Sequence, residues 1–362
     1  MNRIRFDGIA KSYGRVAALS DIDLEVAPDR LTVFFGPPGS GKSVLLRLLV
    51  GLEQPGRGRI LLDNVDITAL PAAKRTIGYV PQSFALFPHM SVFDNIAYPM
   101  ALQGVGGEEI ARRVDEAAAV LRIGPLLQKQ PSQLSGGEKQ RAAIARGILK
   151  NAHIFILDDP LIGLDFKLRE SLMEDLAEMR AQLGATFLYA TADPLEALVM
   201  AEDLVVMDRG RVIEANAADR LYHRPSQLRA AELTGFPRCN VISGRIEGGE
   251  CVTPLLRFPV VLDAPGADVA VVVRPEGIGC MSDAGGTVSG TGEIQLLENL
   301  GAECVLYFTF AGQLLVTTAP SPVASDLGLG DRFPFVLRPE RMLVYDRGSG
   351  SLIGHGTEVG RA

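Results

Sequence analysis

What this sequence has little of narrows its class first. Among 362 residues there are four cysteines, Cys239, Cys251, Cys280 and Cys304. Their spacing fits no zinc-ligand pattern, so they read as reduced core residues of a cytosolic chain. Basic residues are not in excess: 36 Lys and Arg stand against 43 Asp and Glu, a net charge of −7. That balance argues against a nucleic-acid coat and against an anionic lipid surface. It leaves nucleotide binding open, because a nucleotide needs only a local positive site. No long apolar stretch opens the chain, so no secretion signal is expected there. No run reaches the ~18 uninterrupted apolar residues of a membrane helix. If the chain serves a membrane, it does so by docking on other chains.

What is there is apolar material, 47% of the residues. That suffices for a large core, and the length exceeds one ordinary domain. The first two-thirds alternates strand-like apolar runs with amphipathic helices, the pattern of an α/β fold with a parallel-rich sheet. Leu31 to Phe35, Ile154 to Leu157 and Thr186 to Ala190 read as buried strands. Ile110, Val114, Ala118 and Leu121 share one helical face, and so do Leu168, Leu172, Leu176, Met179 and Leu183. Near Gly235 the character changes to short β-branched runs broken by Gly, Pro and Asp. Two domains follow: 1–235, with a helical subdomain over about 84–150, and 236–362, a small all-β domain. Inside the second, Arg274-Pro275-Glu276 recurs as Arg338-Pro339-Glu340, 64 residues later, each after a β-branched run. The plain reading is two similar hairpin-and-turn units packed together. From Gly348 the sequence is Gly-rich and polar, and a loose end is expected.

Gly36-Pro37-Pro38-Gly39-Ser40-Gly41-Lys42-Ser43 matches the phosphate-cradling pattern G-x-x-x-x-G-K-[ST]. Its glycines let successive N–H groups face one anion, and the helix that follows points its positive end at the same place. Lys42 can reach the β- and γ-phosphates, and Ser43 can ligate Mg²⁺. Such a pattern arises by chance in roughly one chain of this length in a hundred. Here it also follows a buried strand and opens a helix, as the chemistry requires. Further on, Ile154 to Leu157 ends in Asp158, a carboxylate at the edge of a parallel sheet suited to hold the same Mg²⁺.

Leu134-Ser135-Gly136-Gly137-Glu138-Lys139-Gln140-Arg141 resembles the signature motif of the ABC ATPases. It is a small-residue turn at a helix start, suited to a γ-phosphate, and Ser135 is also a natural N-cap. The resemblance extends over nearly the whole chain. Tyr13 sits where the family stacks an aromatic on adenine. Gln82 resembles the Q-loop glutamine that senses Mg²⁺ and touches the membrane subunits. Phe84 to Met100 resembles the segment that faces those subunits, and Leu164-Asp165 the D-loop. The all-β domain resembles the OB-type regulatory domain of the maltose and glycerol-phosphate importer ATPases. The resemblance implies ATP and Mg²⁺ as cofactors, with Ser43, Gln82 and Asp158 at the metal. It implies membrane-spanning permease subunits as partners and a solute-binding protein indirectly. A second ATPase subunit, identical or different, would close head to tail so that each ATP lies between one P-loop and the other chain's signature. The site of action would be the cytoplasmic face of the inner membrane, and no nucleic acid is involved.

Three positions depart from the family pattern. The residue after Asp158 is normally a glutamate that orients water. Here it is Asp159, one methylene shorter, and a base outside hydrogen-bond reach of its proton loses about 10²–10⁴ in rate. The family's Thr-His-Asp becomes Thr191-Ala192-Asp193, and alanine offers no side-chain hydrogen bond. Asp193, Pro194 and Glu196 still read as a helix start with a capping box. The milder third change is Glu138 in place of glutamine. The expectation is a degenerate subunit, binding ATP but turning it over slowly, with its signature serving a different partner ATPase. The alternatives are a fully competent homodimeric importer ATPase and a regulatory clamp without a membrane partner.

Overall fold

The computed structural model describes residues 2–150, 152–280 and 288–357. They form two compact units, residues 1–218 and 219–362. The first contains β1 (Ile4–Tyr13), β2 (Val16–Val26), β3 (Leu31–Phe35), α1 (Lys42–Val50), β4 (Arg57–Leu62), β5 (Val65–Asp66) and β6 (Ile77–Val80). Then come α2 (Val92–Leu102), α3 (Gly107–Val120), α4 (Gly136–Ile148), β7 (Ile154–Asp158), α5 (Phe166–Leu183), β8 (Thr186–Thr191), α6 (Pro194–Met200), β9 (Asp203–Asp208) and β10 (Arg211–Ala217).

The six-stranded sheet runs β10-β9-β3-β8-β7-β6. Every pairing is parallel except β9 with the edge strand β10. The expected buried runs are its central strands. A second sheet, β2-β1-β4-β5, is antiparallel. Sequence reading does not foresee it, because bulges in β1 at Phe6, Ile9 and Lys11 interrupt the strand alternation. The helix α1 lies between the two sheets. Its Leu45, Leu46, Leu48 and Leu49 are fully buried with Ile4, Phe6 and Ile60 of one sheet and Phe34, Ile156 and Leu188 of the other. Each such leucine contributes on the order of 1.5–3 kcal/mol.

The carboxyl end of α1 is closed by a buried cation. Arg75 donates to the carbonyls of Leu48 and Leu49, both at 2.7 Å, to Thr68 at 2.8 Å and to Leu70 at 2.9 Å. A guanidinium fixed on helix-terminal carbonyls satisfies groups that the helix itself cannot. Val114, Ala118 and Leu121 are buried as the helical spacing predicts, and so are Leu172 and Leu176. The side chains of Met179 and Leu183 lie outside the described residues. Among the described residues no helix is long and apolar enough to cross a membrane.

The second unit contains α7 (Ala218–His223), which begins on the boundary residue, α8 (Leu228–Leu233), β11 (Asn240–Glu247), β12 (Glu250–Val252), β13 (Arg257–Leu262), β14 (Asp268–Val273) and β15 (Ile278–Cys280). It continues with β16 (Val288–Asn299), β17 (Glu303–Phe310), β18 (Gln313–Pro320), α9 (Ser321–Ala324), β19 (Arg332–Leu337), β20 (Met342–Asp346) and β21 (Leu352–Gly356). Strands β11, β12, β13, β21, β20 and β14 close a barrel, and β15-β19-β16-β17-β18 form a sheet. The repeated turns explain how the two are joined. β14 leaves the barrel through Pro275–Gly277 into β15, while β19 leaves the sheet through Pro339–Arg341 into β20. Val273 pairs with Met342 and Ile278 with Leu337. The 64-residue offset exchanges these two pairs, so the repeat is a local two-fold exchange of strands between barrel and sheet.

Two sequence expectations are corrected here. The units divide at Ala218, not near Gly235, because α8 belongs to the second unit: Ala231 is buried with Ala270, Val272 and Tyr345 of the barrel. Nor is the chain loose over residues 348–357; the rest of that end, 358–362, lies outside the described residues. Leu352–Gly356 pairs with both β13 and β20 and closes the barrel, since Ile353 supplies a buried apolar side chain that the polar composition hides.

Candidate functional site

The loop after β3 turns tightly, with the Ser40 N–H donating to the Pro37 carbonyl at 3.1 Å. Gly41 caps α1 with φ 102°, and a Cβ there would lie 2.7 Å from Leu19 and 2.9 Å from the Ala18 carbonyl. Gly36 is still tighter: a Cβ would come within 2.0 Å of the Met207 carbonyl oxygen. Both positions demand glycine, one by conformation and one by space. Lys42 is buried, and its ammonium donates to the carbonyl of Gly36 at 2.7 Å and of Pro37 at 3.3 Å. Burial holds its pKa below the ordinary lysine value, against the opposing pull of Asp159 and Asp158. An anion seated in this loop would meet a cation already desolvated, where its charge acts most strongly.

Ser43 and Asp158, 115 residues apart in sequence, meet at the opening of α1 and the end of β7. The Ser43 hydroxyl donates to Asp158 Oδ1 at 2.7 Å. The Tyr79 hydroxyl donates to Asp158 Oδ2 at 3.1 Å, so both carboxylate oxygens are oriented. One hydroxyl and one carboxylate are the protein share of a Mg²⁺ site completed by phosphate oxygens. No group of three or more His, Cys, Asp or Glu among the described residues could hold a metal without such help. Tyr79 was not foreseen; its only signal is a polar tip at the end of a buried strand.

Asp159 follows in the left-handed region, φ 45°, its N–H bonded to the Ala190 carbonyl at 3.0 Å. Burial pushes its pKa up, Lys42 opposes that, and Asp158 adds to it. The backbone N–H of Ala192 lies close enough to the Asp159 carboxylate to draw the pKa down slightly. The two altered positions are therefore direct neighbours. The helix start beyond them is intact: Asp193 caps α6 by accepting from Leu195 N–H at 2.8 Å and Glu196 N–H at 3.1 Å. The capping box expected of Glu196 does not form. Its carboxylate is buried and accepts instead from Tyr189 at 2.9 Å and Thr191 at 2.7 Å, because those buried hydroxyls have no solvent to turn to.

The signature turn opens α4. Ser135 accepts from the Glu138 N–H at 3.3 Å, and the Glu138 carboxylate accepts from the Ser135 N–H at 2.7 Å, a full capping box. The charge that replaces the usual glutamine is thus folded back onto its own helix end, where the dipole favours it. Leu134 is buried and Gly136 open, while a Cβ on Gly137 would lie 2.2 Å from Leu168 of α5. Asp165 caps α5 through the Leu168 N–H at 3.0 Å.

Gln82 lines a cleft of about 840 Å³ together with Asp158, Tyr79, Phe87, Tyr98 and Arg47. Its walls are set by two residues that sequence reading missed. Arg146 of α4 donates to the carbonyls of Phe84 at 2.8 Å and Ala85 at 2.7 Å. Asn95 of α2, fully buried, accepts from Phe87 N–H at 2.7 Å and donates to its carbonyl at 3.0 Å. The mostly apolar cleft lined by Gln82 and Asp158 also takes in Tyr98, Pro99 and Leu102 of α2. Tyr13, at the end of β1, is 45% exposed.

Comparison with known proteins defines the class. An ABC transporter family profile matches residues 19–162 and a TOBE domain profile residues 271–345. A dimeric ATP-binding cassette solved with ADP and Pi superposes with TM-score 0.55 and 28% identity, covering 59% of this chain and 98% of that one. A subunit of the ABC transporter complex cbiONQ from Clostridium perfringens does so with TM-score 0.56 and 31% identity, covering 60% and 89%. The chain belongs to the ABC transporter ATP-binding proteins, with a C-terminal TOBE domain. Within them it is similar to the sn-glycerol-3-phosphate import ATP-binding protein of Pectobacterium atrosepticum, 37% identical over 86% of this chain and 89% of the relative. It is likewise similar to the maltose/maltodextrin import ATP-binding protein of Photobacterium profundum, 36% identical over 85% of each.

Proposed function

We propose that this chain is the ATP-binding subunit of a membrane importer for a sugar, a polyol or a glycerol phosphate, acting at the cytoplasmic face of the membrane. The observation that carries it is the Ser43–Asp158 pair beside a buried Lys42, continuous with the cleft at Gln82. Relatives named for glycerol-phosphate and maltodextrin import support the solute class. The loop over 36–43 cradles the phosphates, Lys42 and Ser43 bind them and the ion, and Tyr13 stacks on the base. Mg²⁺, when bound, neutralises charge spread over the β- and γ-oxygens. Ser43 and Asp158 would hold it, and Gln82 would convey its presence to the cleft, where permease subunits dock. Leu134, Ser135, Gly136 and Gly137 complete a second nucleotide site on a partner ATPase.

The hydrolytic step is the weak one in this reading. Asp159 must position water with a side chain one methylene short, and Ala192 has no polar side-chain group to offer the γ-phosphate. The chain therefore binds ATP at its own site and hydrolyses it slowly, while its signature serves an intact partner. Measuring MgATP affinity and turnover on the purified chain tests this. Tight binding with turnover near that of a Lys42→Ala control is expected, whereas turnover at the rate of an intact homodimeric ATPase overturns it.

A further inference from the structure

We propose that Glu53, just beyond α1, is a positioning residue for nucleotide recognition that holds the Tyr13 ring in place for the base. This rests on the reading that Tyr13 stacks on adenine. Three contacts converge on the pair. The Tyr13 hydroxyl donates to Glu53 Oε2. The Arg47 Nε donates to Glu53 Oε1 at 2.8 Å, and the Lys11 ammonium lies 3.6 Å from Oε2. The same ammonium sits 5.3 Å from the centre of the Tyr13 ring and donates to the Gln54 carbonyl at 2.7 Å. One side of the ring is thus covered by a cation and its tip is clamped by a carboxylate.

The arrangement has a physical purpose. Tyr13 ends a strand in a tight hairpin and is 45% exposed. A side chain so placed samples several rotamers, and each must be given up when a base stacks on it. Fixing the ring beforehand removes that cost from binding. The carboxylate holds the hydroxyl most strongly while ionised. Burial pushes the Glu53 pKa up, but the hydrogen bonds from Tyr13 and Arg47 outweigh it, and the net direction is down. Arg47 also lines the cleft at Gln82, so one carboxylate anchors both the base-facing ring and a cleft-wall residue.

The test uses the full-length chain with Mg²⁺ and two probes, ATP and inorganic tripolyphosphate, which has the phosphates without the base. Tyr13→Phe keeps the ring and removes the clamp, and Glu53→Ala removes the clamp from the other side. Each should weaken ATP binding by about 2- to 10-fold, the worth of one hydrogen bond, and leave tripolyphosphate unchanged. The double variant should bind ATP no more weakly than the weaker single variant, because both break one interaction. Single effects that multiply in the double variant overturn the proposal, and so does equal weakening of tripolyphosphate by Glu53→Ala. Tyr13→Ala separates this from the reading beneath it: if that variant binds ATP as the parent does, the base site itself is misplaced. If Tyr13→Ala weakens ATP while Tyr13→Phe and Glu53→Ala do not, the base site stands and the role of Glu53 fails.

Discussion

Two adjoining stretches of one sheet's carboxyl end, in the proposed reading a binding edge and a water-handling edge, differ in what they carry. At the end of β7 the binding edge is complete, with Ser43, Tyr79 and Asp158 in one hydrogen-bonded row and Lys42 buried beside it. One residue further, where the proposed reading puts the water-handling groups, stand Asp159 and Ala192. The scaffold under both is equally well built: Asp193 caps α6, and Tyr189, Thr191 and Glu196 close a buried network beneath it. The difference lies in two side chains and not in the fold. Binding needs a charge and a cradle, which tolerate small displacements. Positioning water needs a group within about 2.6–3.2 Å of its target.

The comparison breaks most sharply at Lys42. Lys42→Ala should weaken MgATP binding on the order of 100-fold or more, measured by titration calorimetry, because no other cation is buried in the loop to replace it. An unchanged affinity would mean that the binding edge lies elsewhere.

Restoring the other edge comes next. Asp159→Glu with Ala192→His should raise turnover by about 10²-fold, within the range for a recovered base. The gain should exceed the product of the single changes, since groups that act as a unit are non-additive. In the assembled transporter, Ser135→Ala should damage solute uptake more than Asp159→Asn does. Uptake abolished by Asp159→Asn alone would show that both edges work.

A smaller effect concerns pH. Burial raises the pKa of Asp159, so its base form is lost as pH falls through a value above that of an ordinary aspartate. Residual turnover should therefore decline on acidification earlier than nucleotide binding does, and Asp159→Asn should remove that decline. The smallest effect should come from cutting the chain. A fragment ending at Ala218 contains both edges, and its ATP affinity should lie within about twofold of the full chain, because every residue of the site lies in the first unit.

The sequence by itself determined a good deal. The parallel strands were legible because β3, β7 and β8 are continuous apolar runs, and the phosphate loop because its glycines and lysine serve contacts inside eight adjacent residues. The two departures from the family pattern, at Asp159 and Ala192, were legible for the same reason: each is a change of type at one position of a contiguous motif. Only the tertiary structure decided the rest. It placed Ser43 against Asp158 and Tyr79, folded Glu138 back onto Ser135, and turned Glu196 from an expected cap into a buried acceptor. It gave α8 to the second unit and Leu352–Gly356 to the barrel. It also brought Glu53 to Tyr13, 40 residues away. None of these has a local signature. A hydrogen bond between distant residues depends on where the sheets and helices carry them, and burial then decides which of several possible partners each polar group must take.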